Sequence, residues 1–110
     1  MFASFHEDDE SRGFYMFVYN QKGQGSDIHR NILRHLRRQV PVSRFRSTEK
    51  YEAKDGLIFN FEDGSFEHRM HQDGVPECLC VEAPDRLPLR RRIKANYAVM
   101  EAIIGHYEDK

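Results

Sequence analysis

Six large apolar side chains in a row, Phe14-Tyr15-Met16-Phe17-Val18-Tyr19, follow Gly13. Successive side chains of a strand point to opposite faces, so a strand here is apolar on both sides and each side must be covered. The run reads as a central strand with a layer on either side, or as a strand whose outer face is the aromatic stripe Tyr15, Phe17 and Tyr19. In the second arrangement the three rings form a surface on which nucleobases stack, or one that seals an interface.

Two helical patterns accompany this run. Ile28, Ile32, Leu33, Leu36 and Val40 recur at helical spacing after Ser26 and Asp27, which offer N-cap oxygens, and Pro41 ends the pattern. Ile93, Tyr97, Met100, Ile104 and Tyr107 step by 4, 3, 4 and 3, which predicts a final helix, capped by Asp85, with a wide apolar face. Leu57–Glu62 and Ser65–Met70 flank Asp63-Gly64, a two-residue hairpin signature that would pair Phe61 with Phe66 and Phe59 with His68. Val42–Ser47 and Cys78–Ala83 read as further strands, and Thr48–Asp55 as a loop. The expected fold is α+β: a two-layer sandwich with a mostly antiparallel sheet of four to five strands, two helices on one face, and the order β-α-β-β-β-β-α. This order resembles the topology of small ribosome-associated hibernation factors, with an extra strand at 77–83. Residues 1–12, which hold Glu7, Asp8, Asp9 and Glu10, are expected to form a flexible acidic arm, and 13–110 a single domain.

The formal net charge of −1 conceals a segregation. Residues 30–46 carry Arg30, Arg34, Arg37, Arg38, Arg44 and Arg46 and no acid; residues 86–94 carry Arg86, Arg90, Arg91, Arg92 and Lys94 and no acid. Guanidinium forks suit phosphate and carboxylate. Arg30, Arg34, Arg37, Arg38, Arg44, Arg46, Arg90 and Arg91 are therefore the candidate anion-binding residues, and Tyr15, Phe17 and Tyr19 the candidate stacking or interface residues. The expected function is a non-enzymatic binding or regulatory protein for nucleic acid or another polyanion. The alternatives are a protein-interaction module (inhibitor, adaptor or self-associating subunit) and a small nuclease or hydrolase with His35 and His71 as its candidates. Nucleic acid and an acidic protein are the candidate partners, and the surplus aromatics are compatible with a homodimer.

No catalytic residue, metal ligand or cofactor is assigned. His68 and His71 fall on opposite faces of the expected strand, and Cys78-Leu79-Cys80 lacks the usual Cys-x2-Cys spacing, so the four do not form a zinc knuckle. Glu67, Glu82 and His71 read as a surface pattern of one sheet face. No apolar run approaches ~18 residues, so no membrane span is expected. An acidic start and two free thiols point to a cytoplasmic location.

Overall fold

The computed structural model describes residues 1–9, 11–43, 45–47 and 52–108, with only the backbone described at 45–47 and 52–54. Among the described residues six strands, β1 (Phe2–Asp8), β2 (Tyr15–Asn20), β3 (Phe45–Ser47), β4 (Glu52–Lys54), β5 (Leu57–Phe59) and β6 (Glu77–Pro84), form one sheet in the order β1-β6-β2-β5-β4-β3. The helices are α1 (Asp27–Arg37), α2 (Phe66–Gln72) and α3 (Leu89–Glu108). The α+β class is as expected. The sheet is mixed rather than mostly antiparallel, because β1 pairs parallel with β6 and β2 parallel with β5.

β2 lies between β6 and β5, and every one of its residues is buried. Its even-numbered side chains, Met16 and Val18, join Phe14, Leu79 and Val81 under α1 and α3. Its odd-numbered side chains, Tyr15, Phe17 and Tyr19, join Ile58, Cys78 and Cys80 on the opposite face, where Met70 of α2 packs. The molecule therefore has helices on both faces, not one. Tyr15, Phe17 and Tyr19 are only 2%, 8% and 1% exposed, so the expected stacking stripe is an internal core.

Phe2–Asp8, expected within a flexible arm, is a strand. Its apolar residues Ala3 and Phe5 pack on the α1–α3 side, and its backbone pairs with β6 from Cys78 to Pro84, which local composition does not reveal.

The hairpin turn is Asp55-Gly56, not Asp63-Gly64. Asp55 and Gly56 have φ of 53° and 82°, the pair of positive values a two-residue primed turn requires, and they join β4 to β5. A Cβ at Gly56 would lie 2.9 Å from Val42 Cγ1 and 3.2 Å from Leu33 Cδ2. Gly56→Ala should therefore cost about 1–3 kcal/mol in urea unfolding, from left-handed strain plus overpacking. Asp63-Gly64 instead leads into α2. Asp63 Oδ1 accepts from Ser65 N–H at 2.9 Å, and the Ser65 hydroxyl accepts from His68 N–H at 3.2 Å as the N-cap. This capping turns 66–72 into a helix, so the expected pairs Phe61–Phe66 and Phe59–His68 do not form.

α1 starts after Ser26, as expected. The His29 ring reaches back so that its Nδ1 accepts from Ser26 N–H at 3.0 Å, which leaves Nε2–H to donate to Glu77 Oε1 at 2.5 Å. α3 begins at Leu89, directly after Pro88, rather than at Asp85.

Candidate metal centre

β1 and β6 run parallel with Ser4 opposite Cys80 and His6 opposite Glu82. The two-residue period puts all four side chains on the α2 face of the sheet. One donor atom from each of His6, Cys80 and Glu82 lies within 4.8 Å of the others. Imidazole nitrogen, thiolate sulfur and carboxylate oxygen are the donors zinc takes, and three protein donors with an open fourth position is the pattern of catalytic zinc. The set fits a divalent metal on that chemistry. His6 opens the site to solvent, with its side chain 57% exposed, while Cys80 closes the floor at 4%.

A second carboxylate supports the cluster from the other layer. Glu67 of α2 is 4% exposed and accepts the Ser4 hydroxyl; its Oε1 lies 3.8 Å from His6 Nε2. At the far end of β1, Asp8 accepts the Tyr15 hydroxyl at 2.6 Å. Burial is the main influence on protonation here. Desolvation pushes the Cys80 thiol well above its ordinary range and raises the Glu82 carboxyl. The Cys80 thiol donates to Glu82 Oε1 at 3.4 Å, so the cluster holds its proton on sulfur beside a carboxylate. Burial likewise raises Tyr19, whose hydroxyl donates to Asp63 at 3.2 Å, and Cys78.

The expected anion-binding residues lie elsewhere. Arg30, Arg34, Arg37 and Arg38 line an open cleft of about 670 Å³ on α1, with Arg30 paired to Asp27. Arg91 donates to the Gln39 carbonyl at 3.0 Å, so the two basic stretches meet at the end of α1, and Arg90 points to solvent. Arg44 and the side chain of Arg46 are outside the described residues. His35 bonds the Asn31 carbonyl on α1, and His71 packs beside Tyr19; neither belongs to the metal cluster. Cys80 and Glu82 had been noted in the sequence, but in other combinations, and His6 had not. The signal that could have joined them is the alternation around Ser4-Phe5-His6 and Cys80-Val81-Glu82, in which polar or thiol side chains flank one apolar residue.

No protein-family model and no curated protein matches the chain. Solved structures do. A putative metallopeptidase from Shewanella baltica OS155 superposes with a TM-score of 0.82 at 28% identity over 90% of this chain. Its counterpart from Shewanella denitrificans OS217 gives 0.84 at 25% identity over 94%. A third, from Shewanella amazonensis SB2B, gives 0.81 over 96% at 21% identity, which speaks for the fold alone. This chain spans 37–40% of the length of those chains. The likeness overturns the expectation of a non-enzymatic binding or regulatory protein for an anionic partner: the solved structures that share this fold are described as putative metallopeptidases.

Proposed function

We propose that the chain works as a metal-dependent hydrolase of peptide bonds, with its centre at His6, Cys80 and Glu82. The observation that carries this reading is the convergence of those three donors across the parallel β1–β6 pair, on a fold shared with metallopeptidases. A divalent cation held there supplies Lewis-acid polarisation of a substrate carbonyl and a readily ionised water. His6 contributes a ring nitrogen from the open side. Glu67, anchored by Ser4, holds the His6 ring in orientation, as carboxylates behind ligating histidines do. Glu82 would supply a carboxylate oxygen as the third protein donor, from the strand beside His6. Cys80 supplies sulfur at the dry floor.

Cobalt(II) titration tests the reading. The chain should take up about one cobalt, with a near-ultraviolet thiolate-to-cobalt band that Cys80→Ser removes and zinc displaces. The loaded protein should cleave a peptide library, and a chelator should stop it. Absence of metal uptake, with the fold intact by circular dichroism, sinks the reading.

A further inference from the structure

α3 is built with its small residues inward and its large ones outward. Ala95, Ala98, Val99 and Ala102 are buried, on the side that meets α1 and the sheet. Leu89, Ile93, Tyr97, Met100, Ile104 and Tyr107 are 39–61% exposed. The alanines allow α3 to approach α1 closely, and the wide apolar side chains of the stripe Ile93–Tyr107 are left outside. From Leu89 to Tyr107 the stripe runs about 27 Å at 1.5 Å per residue. From Ile93 on, its 4-3-4-3 spacing is that of a helix–helix seam.

The charges beside this seam identify its occupant. Arg90, Lys94, Glu101 and Glu108 lie along one flank of the stripe, and all four are exposed. None is in an ion pair among the described residues. Both bases sit in the N-terminal half of α3 and both acids in the C-terminal half, and Arg90 and Glu108 occupy the terminal turns where the helix dipole disfavours them. Lys94 and Glu101 are two turns apart, too far to pair with each other on their own helix. A second α3 running antiparallel reverses the order of charge and of dipole together.

We propose that this face is the interface of a homodimer, with α3 packed antiparallel on α3 of a second copy about a two-fold axis between Tyr97 and Met100. In that register Ile93 meets Ile104, Tyr97 meets Met100, Lys94 reaches Glu101 and Arg90 reaches Glu108, every contact occurring twice, as a self-complementary interface requires. Dimerisation stands independently of the metal chemistry, since the seam lies on the opposite side of the sheet from His6, Cys80 and Glu82.

Sedimentation equilibrium at roughly 1–100 µM tests it. Wild type should be a dimer, and Tyr97→Glu a folded monomer. Arg90→Glu/Lys94→Glu makes the flank wholly acidic, and Glu101→Lys/Glu108→Lys makes it wholly basic. Each double variant alone should dissociate at least about tenfold more readily than wild type, while the two mixed should form a heterodimer. A wild-type monomer throughout the range, as when other polypeptide covers this face, overturns the proposal. So does a dimer whose affinity neither double variant changes, or a mixture no tighter than its components.

Discussion

His6→Ala and Glu82→Gln should each lower zinc affinity, His6→Ala by at least about 100-fold, because each takes away one of three donors. His6 is on an edge strand with its imidazole open to solvent, so it is the donor an ion meets on entry, and its loss leaves one thiol and one carboxylate. Glu82 is one strand further in and half-buried beside Cys80, where glutamine keeps the shape but removes the charge of the donor oxygen. Glu67→Gln should cost less, about 10–100-fold in metal affinity, because it faces the His6 ring at 3.8 Å and is not itself one of the three donors. Calorimetric zinc titration of each variant separates the donors from the residue behind them. Equal loss of binding in all three would show a generally disordered site rather than distinct roles.

Truncation of the central strand's core should produce the largest loss of stability. Phe14 is fully buried beneath α1 and α3, and its backbone bonds both Pro41 and Ser43, so little can move into the space its ring leaves. Phe14→Ala should cost about 3–5 kcal/mol. At 4–8 °C per kcal/mol for a domain of this size, the midpoint should fall by at least about 12 °C. Phe66→Ala is the contrast. That ring is 63% exposed and leans on Phe2, at 5.3 Å between centroids, so the change should be about 1 kcal/mol or less. Comparable losses at both positions would mean that 66–72 packs as the strand the alternation suggests, not as α2.

The contrast between Phe14 and Phe66 shows how far the pattern of residues carries. Where a segment's own periodicity is unambiguous, as in the run 14–19 and the stripe from Ile28 to Leu36, the element is legible, though what covers the odd-numbered rings of the run is not. Where two periods compete, local hydrogen bonds decide. Phe66, His68 and Met70 alternate like a strand, yet the cap at Ser65 and the inward spacing of Glu67 and Met70 produce a helix. Two Asp-Gly pairs carry the same turn chemistry; Gly56 packs against Val42 and Leu33 in the hairpin, while Asp63-Gly64 leads into the capped start of α2.

The chain's order of residues was sufficient to establish an α+β domain, a strand apolar on both faces, the first helix, and two thiols on one face of a late strand. Tertiary structure alone decided that residues 2–8 join that late strand in parallel, bringing His6 beside Glu82, and that α3 turns its alanines inward. Both outcomes rest on pairings between distant segments. A strand's alternation says which side chains share a face but not which strand lies beside it. A helix with apolar residues all round does not announce which side a close neighbour will leave uncovered.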